Sequence, residues 1–200
     1  MKTFITSDTH LFHKTTLKWD MRKRFNSQYG IAPEEYDKQI LYEDTKTMNR
    51  TIISNWNSVV GKDDLVYHLG DVSFGNPRLT REALEKLNGK IILIKGNHDK
   101  WKDLKKLADL FVEIVDYKEI KYHYEEKVWH IIMMHYPIAS WNRGHYGSIH
   151  LHGHSHGGYK GNGKVIDVGI DTELANFYPI LMEDAIEYSK GLDYKQVVHH

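Results

Sequence analysis

The chain has 200 residues, 27 basic against 27 acidic side chains, 40% hydrophobic residues and no cysteine. That is enough chain to bury one core without disulfides. It excludes thiolate chemistry and leaves no net charge to draw the molecule to a long nucleic-acid footprint or an anionic membrane. No apolar run approaches the roughly 18 residues a bilayer span needs. The opening Met1-Lys2-Thr3-Phe4-Ile5-Thr6-Ser7-Asp8 has too short an apolar core for a signal peptide, so a cytoplasmic location is expected. Residues 1–198 are expected to form one domain, with His199 and His200 set aside as a tag remnant or frayed terminus.

Residues 2–6 read as a first strand that stops at Ser7-Asp8-Thr9-His10. Residues 11–29 are irregular and locally basic, a solvated loop or one turned towards phosphate. Pro33 opens a helical stretch to about Trp56, and its stripe of Tyr36, Ile40, Met48, Ile52 and Trp56 is expected to pack into the core. Residues 64–69 form a second strand ending at Gly70-Asp71. Asn76-Pro77 and Thr80 are candidate caps for a helix running to about Leu87 and closed by Asn88-Gly89. Ile91-Ile92-Leu93-Ile94 is too short for a helix and reads as a strand buried on both faces, ending in Gly96-Asn97-His98-Asp99. Residues 101–111 read as an amphipathic helix. Residues 112–124 and 127–134 read as a hairpin whose second strand ends at His135. Residues 149–152 form a strand ending in Gly153-His154-Ser155-His156. Strands over 164–170 and 179–181 follow, then a helix over 183–190. A β-α-β half followed by consecutive strands points to two packed sheets flanked by helices.

Five strand ends thus carry polar side chains of one chemical kind: Asp8 and His10; Asp71; Asn97 and His98; His135; His154 and His156. Side chains at the carboxyl ends of buried strands point into the crevice where α/β folds bind ligands. Imidazoles, carboxylates and one amide oxygen suit Mn, Fe, Zn, Co or Ni better than Ca or Mg. Seven such groups exceed one ion that keeps a position open, whereas two ions sharing a carboxylate accommodate them.

These motifs resemble the calcineurin-like metallophosphoesterases: Asp8-x-His10, Gly70-Asp71, Gly96-Asn97-His98-Asp99, His135 and Gly153-His154-x-His156. The likeness is nearest to the small single-domain bacterial and phage members. It implies a four-layer α/β/β/α sandwich of two mixed β-sheets flanked by helices. It also implies two divalent transition-metal ions, with Mn ahead of Fe, Zn, Ni or Co. Asp8, His10 and His156 would hold the first, Asn97, His135 and His154 the second, and Asp71 would bridge. A metal-bridging hydroxide would attack phosphorus in line, with His98 as general acid or phosphate stabiliser. The Asp-Arg-Gly that follows the bridging acid in the phosphoprotein phosphatases is absent after Asp71, which favours a small phosphodiester or nucleotide-type substrate. Arg24, His13 and Arg143 are candidates for the missing phosphate clamp. Asp99 is a candidate to orient His98, and Asp167 and Asp171 to accept imidazole N–H groups. Phe12, where related members have glycine, is expected to narrow the approach to the metals. His68 is expected to satisfy buried backbone, and His150 and His152 to pack or support. The rival reading is a catalytically silent, protein-binding scaffold of the same fold. Oligomeric state is not legible.

Overall fold

A computed structural model describes residues 1–31 and 35–192. Pro33 and residues 193–200, with the expected helix start and tag remnant, lie outside the described residues.

Strands β1 (Thr3–Thr6), β2 (Leu65–His68), β3 (Lys90–Ile94) and β4 (Glu113–Val115) run parallel in one sheet, which β9 (Ile180–Leu181) extends antiparallel to β1. The second sheet has the order β5 (Tyr117–Tyr124), β6 (Lys127–Met134), β7 (Ile149–His152) and β8 (Val165–Asp167). Its β5–β6 pair is antiparallel and the others parallel. Period-two alternation divides the first sheet between two cores. Ile5, Tyr67, Ile92 and Ile94 face Trp129, Ile131, Met133, Leu151 and Ile166 of the second sheet. Phe4, Val66, Ile91 and Leu93 face the other way, towards Trp56, Leu84, Leu104 and Leu107 on the helical side. The fold is therefore an α/β sandwich of two mixed sheets with helices. The outer face of the second sheet is closed over His150 by the loop after β6: Ile138 N–H donates to His150 Nε2 at 3.2 Å, and Trp141 packs 5.5 Å from its ring. Among the described residues no helix is long and apolar enough to cross a membrane.

Several expected elements shift. Helix α1 spans Lys38–Val59 and starts where the Asp37 carboxylate accepts from Gln39 and Ile40 N–H. Met48, Ile52 and Trp56 of its stripe are buried, but Ile40 is 44% exposed. Helix α2 (Pro77–Leu84) is capped by Asn76, which accepts from Leu79 N–H; Thr80 instead bonds Ser73 Oγ at 2.8 Å. Beyond Leu84, hydrogen bonds from Lys86 to Ala83 and from Leu87 to Leu84 tighten the last turn, so the regular helix ends three residues early. The expected helix over 101–111 is α3 (Trp101–Leu104) plus a separate 3-10 turn, Ala108–Leu110, although Leu104, Leu107 and Phe111 keep their buried face. The expected strand over 112–124 is two strands. The chain changes sheets at Asp116, whose carboxylate is paired with Lys95 at 2.5 Å. Helix α4 (Met182–Lys190) closes the described chain.

Candidate metal centre

The loops after β1, β2 and β3 meet the loops after β6 and β7 at one rim of the sandwich. Asp8, His10, Asp71 and His135 are buried, while Asn97, His98 and His154 open to solvent. His10 Nε2 lies 3.6 Å from Asp8 Oδ1 and 3.7 Å from Asp71 Oδ2, and His156 Nε2 lies 3.9 Å from Asp8 Oδ1. His135 Nε2 lies 3.7 Å from the same Asp71 Oδ2 and 2.9 Å from Asn97 Oδ1, which His154 Nδ1 approaches to 3.0 Å. Two groups, Asp8–His10–His156 and Asp8–Asp71–His135, have their ligand atoms all within 4.8 Å of one another. Atoms bound to one transition metal at about 2.1 Å stand roughly 3–3.5 Å apart, so this spacing suits cations.

The backbone that aims these side chains is unusual. Asp8, His10, Asp71, His154 and His156 have φ of +57°, +46°, +55°, +67° and +47°. Left-handed backbone at a residue other than glycine costs on the order of 1–3 kcal/mol and gathers at functional sites. The loops also approach closely. A Cβ on Gly96 would stand 2.3 Å from Asp71 Oδ1, and one on Gly153 would stand 2.0 Å from Ser7 Oγ and 2.3 Å from Asp8 Oδ2. Gly153→Ala is therefore expected to lower unfolding free energy by about 1–3 kcal/mol and to weaken metal binding, read by urea melts and by titration with Mn²⁺.

His135 Nδ1–H donates to Leu69 C=O at 2.6 Å, which turns its Nε2 to the amide oxygen of Asn97 at 2.9 Å. His156 Nδ1–H donates to both oxygens of Asp171 at 3.0 Å and turns its Nε2 towards Asp8; against burial, Asp171 and Asp8 hold this imidazole above its usual range. Asp8 Oδ1 and His10 Nε2 are buried without a hydrogen-bond partner. Burial pushes the Asp8 carboxyl up to about 8 against the pull of His156 and Ser7, and burial then Arg22 hold the His10 imidazole far below its usual range. Buried carboxylate and imidazole atoms left without hydrogen-bond partners are a donor set that a divalent cation satisfies.

The supporting carboxylates divide their work. Only Asp171 of the three expected supports takes an imidazole N–H. Its own burial is outweighed by His156 and Arg22, and its carboxyl stays far below the usual range. Asp99 does not orient His98: it accepts from Asp71 N–H at 2.7 Å, Val72 N–H at 3.0 Å and Gly96 N–H at 2.9 Å, and so knits two loops together. Asp167 accepts from Ser155 Oγ, Gly157 N–H and Gly169 N–H rather than from an imidazole. His98 N–H donates to Asp71 Oδ1 at 2.9 Å, while the half-open His98 ring stands with Nε2 3.9 Å from Asp71 Oδ2.

Of the clamp candidates, His13 reaches the centre, its Nδ1 sharing a hydrogen bond with His10 Nδ1 at 3.2 Å. Arg24 is turned to Asn176 Oδ1 at 3.1 Å and the Phe177 ring, and Arg143 sits over Tyr146. The Phe12 ring does not narrow the approach: it packs beside Gly75 and Leu79, and Asn49 Oδ1 accepts from its N–H. His68 behaves as expected, accepting from Gly70 N–H and bonding Thr9 Oγ1, and burial holds it neutral at about 3.

Three further participants carry little mark in the sequence. Trp19 lies 4.4 Å from the His156 ring. Phe74 stacks on His13 at 3.6 Å and tilts against His98 at 4.6 Å. The third, the fully buried Arg22, donates to Asp171. An isolated tryptophan in a polar run was the one local signal available.

An uncharacterised protein of Methanocaldococcus jannaschii, MJ1445, is 29% identical over 189 residues, covering 91% of this chain and 88% of that one. The Gene 66 protein of Mycobacterium phage D29 is 30% identical over 143 residues, 58% of this chain and 72% of that protein. The crystal structure of AQ665 from Aquifex aeolicus, a protein of unknown function, shares the fold with a TM-score of 0.61 and 24% identity, over 94% of this chain and 98% of that one. The sequence profile of the calcineurin-like phosphoesterases matches residues 1–158, and the chain belongs to that family of metal-dependent phosphoesterases.

Proposed function

We propose that the protein is a two-metal hydrolase of small phosphodiester or nucleotide-type substrates. Asp8, His10 and His156 hold one ion, Asn97, His135 and His154 the other, and Asp71 is shared. The observation that carries this reading is the single oxygen Asp71 Oδ2, which stands 3.7 Å from His10 Nε2 on one side and 3.7 Å from His135 Nε2 on the other. The thiolate-free nitrogen and oxygen set suits divalent transition-metal ions, and the family resemblance puts Mn ahead of Fe, Zn, Ni or Co. When bound, a metal pair supplies an activated water and neutralises charge on the phosphoryl group. The chain's own residues do the rest. His98, at the open rim, donates a proton to the departing alkoxide, and His13 stands behind His10 to fix its ring. Phe74 and Tyr136, 38% and 39% exposed, offer apolar surface beside the phosphate position.

Charge favours diesters. A monoester carries nearly two negative charges and calls for a cationic clamp, whereas Arg24 and Arg143 are engaged elsewhere. The test is turnover by purified protein loaded with Mn²⁺, Ni²⁺ or Zn²⁺ against mono- and diester phosphates, cyclic nucleotides included. Diester cleavage at least about tenfold above monoester cleavage is expected. A monoester-only profile overturns the substrate assignment, and no turnover with any ion promotes the scaffold.

A further inference from the structure

We infer that Arg22 is a positioning residue for the ion held by Asp8, His10 and His156; this rests on the two-metal reading above. Its side chain is entirely buried, and a guanidinium cannot shed its charge, so its partners are obligatory. Nε donates to Asp171 Oδ2 at 2.7 Å, and the two terminal nitrogens donate to Asp8 C=O at 2.5 Å and Thr9 C=O at 3.2 Å. Asp171 in turn accepts from His156 Nδ1 at 3.0 Å. One rigid fork therefore grips the backbone of one ligand directly and the imidazole of another through a carboxylate. Those ligands, Asp8 and His156, come from different sheets. The rings of Trp19 and Phe177, 5.8 and 6.0 Å from the guanidinium carbon, flank the fork.

Among the described residues no buried guanidinium backs the other group. His135 leans on a neutral carbonyl, Leu69 C=O, and Asn97 and His154 face solvent. Two of the buried atoms without a hydrogen-bond partner, Asp8 Oδ1 and His10 Nε2, also belong to the Arg22 half. Losing the fork should therefore loosen one position and spare the other. Lysine keeps the charge but cannot span Asp171 and two carbonyls at once.

The experiment titrates metal-free protein with Mn²⁺ by calorimetry and needs no turnover. Unaltered protein is expected to bind two ions. Arg22→Lys is measured in a His154→Ala background, which isolates the first position, and in a His156→Ala background, which isolates the second. Affinity is expected to fall about 10- to 100-fold in the first background and less than about twofold in the second. Equal losses in both, as general loosening would give, or no loss in either, overturns the inference. Unaltered protein that binds no ion overturns the two-metal reading and this inference with it. Unaltered protein that binds two ions while Arg22→Lys shows no asymmetry removes the inference alone. If Arg22→Lys does not fold, the Arg22→Met/Asp171→Asn pair, which leaves no buried carboxylate unpaired, is expected to show the same asymmetry, and symmetric affinities there count against the role.

Discussion

Asp71→Ala is expected to empty both metal positions together and to bring hydrolysis down to background. Asp71 is 2% exposed, so its carboxylate cannot be replaced by bulk anions. Its Oδ2 is the one anionic atom that His10 and His135 both face, and its Oδ1 accepts the backbone N–H of His98. Without it the second group keeps only neutral donors, Asn97, His135 and His154. A site made of neutral donors alone repays much less of an ion's desolvation than one containing a carboxylate. The first group loses the acid beside His10 and keeps only Asp8. Metal content after desalting, by mass spectrometry, should fall from two ions per chain to near none. Two ions retained would disprove the shared acid. Asp71→Asn keeps the shape and the Oδ1 contact but not the charge. It separates the electrostatic part from the packing part, and its metal content should also collapse.

His98→Ala is expected to slow turnover by about two orders of magnitude while leaving both ions in place, the customary weight of a general acid. His98 lies beside the cluster and not in it. Its Nε2 is 3.9 Å from the nearest carboxylate oxygen, and the ring is held from the side by Phe74. The discriminating measurement is the leaving group. Alkyl esters, whose alkoxides need a proton, should lose the most, and nitrophenyl esters, whose phenolates leave unaided, should lose much less. Equal losses on both substrates would assign His98 to holding the phosphoryl oxygens, and an unchanged rate would remove it from the reaction.

Most of the fold was legible because its strands are short aliphatic runs with one pattern: apolar residues that stop abruptly at polar ones. Lys127–Met134 and Ile149–His152 fall where the runs begin and end. The failures have physical causes. Residues 112–124 form one continuous strand-like run, and only pairing with β3 on one side and β6 on the other reveals that the chain changes sheets at Asp116. The run over 101–111 keeps its apolar spacing through a break in the helix, because i,i+3 turns bury nearly the same side chains. At the site, the ligand candidates were marked by type and by position at strand ends. Arg22 was not, since its role depends on Asp171, 149 residues away. Left-handed backbone at Asp8 or His154 leaves no trace in a sequence that places no glycine there. Asp99 stands out in the sequence by its chemistry, yet its three backbone partners give it a structural task.

The change of sheet at Asp116 has a mechanical consequence. Asp8, His10, Asp71 and Asn97 hang from one sheet, and His135, His154 and His156 from the other, so each proposed ion is gripped from both leaves of the sandwich. Ions seated there act as rivets across a seam otherwise closed by aliphatic packing, and a shear between the leaves is felt first where the chemistry is done.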